Sequence, residues 1–117
     1  MMVYQERFSD NDLGKIIEEG MIYMCACPAQ VAENVRKVRN LYRYQINCLE
    51  NPNNDSFVDT TIAKTAIIAH SQLEECMAKI LEHEKWDQTT LEMPANLRIR
   101  QAEEINSDSR FLESLGD

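Results

Sequence analysis

The chain has 117 residues and a mass of 13.6 kDa, the size of one domain with a modest core. Twenty acidic residues against twelve basic ones give a net charge of −8 and a pI near 4.7, which argues against a basic nucleic-acid-binding module. Three glycines and three prolines are too few turn formers for a sandwich or barrel, and 44% hydrophobic residues argue against wholesale disorder. Met1 to Asp10 is charged and holds no apolar run, so no signal peptide is read there and a cytoplasmic protein is expected. No stretch approaches the roughly 18 apolar residues of a membrane span.

The first helix is expected to start after Ser9. Ser9 and Asp12 have capping-box spacing, and Asp10 and Asp12 suit the positive end of the helix dipole. Leu13, Ile16, Ile17, Gly20, Met21 and Met24 then form one apolar face.

Pro28 marks the second start, because proline loses nothing at the first helical position; Cys27 is then the expected N-cap. Val31, Val35, Val38, Tyr42, Ile46 and Leu49 run as a stripe, widened by Leu41 and Gln45. This helix should reach about residue 50. Asn51 to Asp55, with Pro52 inside, is a loop.

Ser56 with Asp59 again resembles a capping signal. The third helix should run to about Trp86, roughly 45 Å, with a seam of Ile62, Ala66, Ala69, Leu73, Cys76, Ile80 and His83. Ile67, His70, Met77 and Leu81 lie beside that seam. After a loop at Asp87 to Thr90, residues Leu91 to Ile105 are helix-prone, with Pro94 tolerable in a first turn. Residues 106–117 read as a weakly docked tail carrying Phe111 and Leu112.

Short connections make neighbouring helices antiparallel. The expected architecture is all-α: one domain over 1–117, a small antiparallel bundle of about four helices built on a long hairpin of the second and third. The far end of that hairpin needs cover, and homodimerisation is a common way to supply it.

Three features bear on chemistry. The first is Cys25-Ala26-Cys27-Pro28. Thiols at a helix N-terminus feel the positive dipole end, which favours thiolate, and with Met21 and Met24 nearby they would suit a soft metal. Folding the hairpin about residue 53 puts Cys76 within about 4.5 Å in height of Cys27 and Cys48 about 30 Å away. A metal or redox site would therefore draw on Cys25, Cys27, Cys76 and His83, while the competing reading makes Cys76 a core residue. Only one CxC occurs, and paired zinc spacing is absent.

The second is His70 with Glu74, four apart on one face, able to act as base and orienter; neither the Glu-x-x-His di-iron pattern nor HExxH occurs. The alternative is a core histidine bonded to its neighbour. The third is the basic second helix, with Arg36, Lys37, Arg39 and Arg43 beside Tyr42 and Tyr44. It reads as a solvated face complementing the acidic first helix, or as a surface for an acidic or phosphate-bearing partner.

No phosphate loop, nucleophile elbow or dinucleotide fingerprint is present. The function expected is therefore non-enzymatic binding of another protein through helix surfaces, as an adaptor, small chaperone or regulatory subunit. Arg36, Arg39, Arg43, Tyr44, Phe111 and Leu112 are the candidate contacts. The alternatives are a thiol-based metal or redox protein at Cys25 and Cys27, and a helical enzyme using His70 and Glu74. No cofactor is called for.

Overall fold

The computed structural model describes residues 3–23 and 27–94. They form three helices: α1 (Asp10–Tyr23), α2 (Cys27–Leu49) and α3 (Ser56–His83). An extended strap, residues 3–9, precedes α1, and a folded loop, 84–94, follows α3. The architecture is an all-α, three-helix bundle on an α2–α3 hairpin, with no strand among the described residues.

Each helix start has a local cause. The Ser9 hydroxyl accepts from the Asp12 amide at 3.0 Å, and the Ser9 amide donates to the Asp12 carboxylate at 2.9 Å, which is the expected capping box. Pro28 lies in the first turn of α2 and is buried, where its missing N–H has no acceptor to lose. The cap of α3 is Asp55 rather than Ser56: its carboxylate accepts from the amides of Phe57 and Val58. In the turn, the Asn54 side chain donates to the Cys48 carbonyl at 3.0 Å and the Asn51 side chain accepts from the Asn53 amide at 3.0 Å. The asparagines thus satisfy loose backbone groups at the end of α2.

Helix α3 stops at His83, one turn before the expected Trp86. Lys85 takes a left-handed φ of 62°, the Trp86 amide donates to the Leu81 carbonyl at 3.0 Å and the Lys85 amide to the Glu82 carbonyl at 3.1 Å. These two bonds define a Schellman ending. Trp86 turns back into the core beside Leu81. The loop continues inward. Asp87 accepts from the amides of Thr89 and Thr90, each at 2.8 Å. Leu91 is left-handed at φ 58°, and both Leu91 and Met93 are buried. Residues 91–94 are therefore not the opening turn of a fourth helix, because Leu91 cannot hold a left-handed φ inside one. The remainder of that expected helix, and the 106–117 tail, lie outside the described residues.

The core sits at one end of the bundle. Leu13, Ile16 and Ile17 of α1 meet Ala32 and Val35 of α2, Met77 and Leu81 of α3, and Trp86, Leu91 and Met93 of the loop. The buried stripe of α3 is Asp59, Ala63, Ala66, His70, Glu74, Met77 and Leu81. Apart from Ala66 it stands one residue on from the expected seam, a rotation of about 100°. Cys76 and His83 are exposed as a result, which corrects the reading of Cys76 as core. On α2 the buried positions are Pro28, Ala32, Val35, Arg39 and Gln45; Ile46 and Leu49 keep 37% of their surface in solvent. Both shifts have one cause. A search for apolar periodicity passes over polar side chains, yet Arg39, His70 and Glu74 are buried as a mutually satisfied set.

Candidate functional site

The site is a polar layer across the middle of the bundle, where the strap crosses α2 and α3. Arg39 is fully buried, and each of its three guanidinium nitrogens has an acceptor. Its Nε donates to His70 Nε2 at 3.1 Å, Nη1 donates to Asp10 Oδ1 at 2.9 Å, and Nη2 donates to the Phe8 carbonyl at 2.7 Å and to Glu74 Oε2 at 3.2 Å. Glu6 Oε2 lies 3.4 Å from Nε. Glu74 Oε2 also accepts from the amides of Arg7 and Phe8 at 2.8 and 2.9 Å. One carboxylate on α3 thus holds the strap by its backbone, and one guanidinium on α2 holds both.

Burying a charge is tolerated only when it is paired and bonded throughout, and this layer meets that condition. A second arginine, Arg43, closes it from the outside, donating to both Glu6 oxygens at 3.0 Å and to Asp10 Oδ2 at 3.2 Å. Tyr4 lies flat on Tyr42, with ring centroids 3.9 Å apart, and tilts toward His70 at 5.0 Å. Its hydroxyl donates to Glu6 at 3.2 Å.

The electrostatics follow from these contacts. Burial pushes His70 below its ordinary value; Arg39 and Arg43 push the same way, while Glu74 and Glu6 oppose them. The geometry agrees. A ring nitrogen that accepts from a guanidinium carries no proton, so the neutral ring holds its proton on Nδ1, which lies 3.5 Å from Glu74 Oε1. The hydrogen bond from Arg39 holds the Asp10 carboxyl below the usual range. Burial, reinforced by Glu6, pushes the Tyr4 phenol up to about 12.

A groove of about 770 Å³ opens beside the layer, and His70, Ser71 and Glu74 of α3 and Glu6 and Arg7 of the strap line it. His70 and Glu74 form a pair, as their spacing implied. His70 Nε2 and Glu74 Oε2, however, are occupied by Arg39 and the strap amides, and His70 Nδ1 and Glu74 Oε1 face each other. The arrangement holds the strap and orients an arginine.

The other candidate residues differ in exposure. Arg36, Arg43 and Tyr44 are exposed, but Arg39 between them is buried. The basic stretch is therefore not one continuous solvated face, and Arg39 is a structural centre rather than a surface contact. Cys27 and Cys76 are exposed thiols and Cys48 is half-buried. Cys25 lies outside the described residues, as do Phe111 and Leu112. Among the described residues, no three His, Cys, Asp or Glu side chains converge as a metal site would require, and none of the helices is long and apolar enough to cross a membrane.

Glu6, Asp10 and the Phe8 carbonyl were not foreseen as parts of the layer. A signal was present: Arg39 falls in step with Ala32 and Val35 on an apolar face, and a charge in such a position asks for partners.

Beyond the layer the hairpin continues without α1, which packs on the first half of α2. Leu41, Tyr44, Ile46 and Leu49 of α2 and Phe57, Val58 and Ile68 of α3 are exposed there, Phe57 at 76% and Tyr44 at 64%. Neither the protein-family models, nor the curated proteins, nor the solved structures give a match to this chain.

Proposed function

We propose that this chain is a non-enzymatic, protein-binding helical module that works as a dimer. The observation that carries the reading is on the hairpin, where seven large apolar side chains of α2 and α3 stand exposed among the described residues. Exposed apolar side chains on this scale mark interaction sites. The buried layer supports the same reading. It fixes the strap and the hairpin as one rigid body, and rigid elements present a binding surface at low entropic cost. Tyr44 is exposed on α2 and serves this surface, and Arg43 contributes through its outer edge; Arg36, exposed on the other side of the layer beside Gly14 of α1, does not.

The test is capture from an extract of the source cells. The wild-type chain should retain a protein that a Leu49→Ser/Phe57→Ser variant loses by about tenfold or more, with helical circular dichroism unchanged. A His70→Gln variant, altered only in the buried layer, should still retain it. Equal capture by the wild-type and doubly substituted chains would overturn the reading.

A further inference from the structure

Of the stripe that apolar spacing picks out on α3, Ala66 is buried and Leu73 packs against the core, but the other members stand outside it. Val58, Ile62, Ala69, Leu73, Cys76 and Ile80 lie along one flank of the helix, half-buried or exposed. We infer that this flank is the contact between two copies of the chain, packed antiparallel about a two-fold axis at Ala69. The inference rests on the dimeric reading above and names its face and register.

The sequence of the flank is self-complementary. In an antiparallel pair centred on residue 69, Val58 meets Ile80 of the second copy, Ile62 meets Cys76, Thr65 meets Leu73, and Ala69 meets Ala69. The small residue falls on the axis, where two helices approach most closely, and the two helix dipoles oppose each other. A two-fold contact requires this kind of patch, one that matches itself.

Charge points the same way. The protein carries a net −8, yet Val58, Thr61, Ile62, Thr65, Ala69, Gln72, Leu73, Cys76 and Ile80 include no charged residue. Depletion of charge marks interface cores, and two acidic copies can approach only on a face without it. At its edge Glu75 and Lys79 neutralise each other at 3.3 Å. The flank's hydroxyls are already satisfied: Thr61 donates to the Phe57 carbonyl at 2.6 Å and Thr65 to the Thr61 carbonyl at 3.0 Å. Covering these two hydroxyls strands neither. A groove of about 420 Å³ framed by Gln72, Cys76 and Ile80, with the paired Glu75 and Lys79 completing its wall, stands at the level where Ile62 of the second copy arrives.

From Val58 to Ile80 the flank is about 33 Å long and one helix, about 10 Å, wide. The adjoining Leu41 to Cys48 edge of α2 adds a second helix width over about 10 Å of that length. The footprint of roughly 440 Å² per partner is at the small end for a specific contact, so the dimer is expected to form at high protein concentration.

The test uses the full chain with Cys25, Cys27 and Cys48 changed to Ser and Cys76 kept. Wild-type protein at about 100 µM should have twice the 13.6 kDa chain mass by light scattering. Adding Ile62→Cys places a thiol opposite Cys76 of the second copy. Copper–phenanthroline in air, with dioxygen as oxidant, should then join the two thiols as a disulfide and give a covalent dimer. Ala69→Cys, with Cys76 also changed to Ser, should cross-link to itself. The parent with Cys76 alone should not, because those two thiols stand about 21 Å apart along the helices, beyond disulfide reach. Ala69→Glu should raise the dimer dissociation constant about a hundredfold, like charges meeting on the axis, with helicity retained. A chain mass of 13.6 kDa overturns the dimer and its face together, leaving the flank to residues 95–117 or to another protein. A dimer that cross-links through Ser71→Cys, on the strap side of α3, and not through positions 62 or 69 overturns the face alone.

Discussion

The Nε–H of Arg39 points at the Nε2 of His70 over 3.1 Å, inside the bundle and away from water. This contact makes the histidine a fixed acceptor and joins α2 to α3 at the level where the strap crosses them. Burial and the arginine together keep the ring neutral, so the layer is sensitive to acid.

The sign of that sensitivity is determined. A histidine whose folded value lies below its unfolded value of about 6.5 takes up protons preferentially in the unfolded chain. Its contribution to stability is fully present above that value and is lost as pH falls from about 6.5 through the folded value. Urea midpoints should therefore fall between pH 7.5 and pH 5.5. His70→Gln, which keeps an acceptor and a donor, should flatten the dependence in this window. An unchanged slope in the variant would assign the acid sensitivity elsewhere.

Arg39→Ala should destabilise the chain by about 3–5 kcal/mol, because it leaves Glu74 as an uncompensated buried charge. Arg39→Lys should recover only part of this, since one ammonium lacks the planar fork that reaches His70, Asp10, Phe8 and Glu74 together. Arg36→Ala, on an exposed position, should stay within about 0.5 kcal/mol. Chemical denaturation of the three variants checks the ranking.

Glu74→Ala removes the acceptor of the Arg7 and Phe8 amides. The strap should open more often, and trypsin should cut after Arg7 about ten times faster than in the wild-type chain. Protection at Lys64, inside α3, should persist under the mild conditions that expose Arg7. Equal rates at Arg7 in both chains would show that the strap is held by other contacts.

Lys85 holds a left-handed φ of 62° at the end of α3, a conformation that an L side chain adopts at a penalty of about 1–2 kcal/mol. Lys85→Gly should stabilise the chain by about 1 kcal/mol, read as a rise in thermal midpoint. Ser9→Ala, which removes the α1 cap, should cost about 1 kcal/mol.

Much of the fold was legible in the residues. Ser9 with Asp12 marked the start of α1, Pro28 the start of α2, and the asparagine-rich stretch at 51–55 the turn of the hairpin. The pairing of His70 with Glu74 was also legible, from a spacing of four on a helix. Three things were not. The α3 seam was placed about 100° away from the buried face, because spacing counts Ile62, Leu73 and Ile80 as core and passes over His70 and Glu74. Arg39 was read as surface, because arginine is seldom buried. Leu91 and Met93 were read into a helix, because the Asp87 turn that sends them into the core is a side-chain-to-backbone capture with no apolar period.

The sequence by itself determined where helices begin, where the hairpin turns and that the bundle is α-helical, because caps, prolines and turn residues act within a few positions of one another. Tertiary structure alone decided which face of α3 is covered and what Arg39 does. Its partners lie 29 to 35 residues away along the chain, and the Glu74 carboxylate that holds the strap lies 66 and 67 residues from the amides it binds. A buried charge is stable only when such distant groups converge on it, so its place is fixed by the assembled fold and not by its neighbours in the chain.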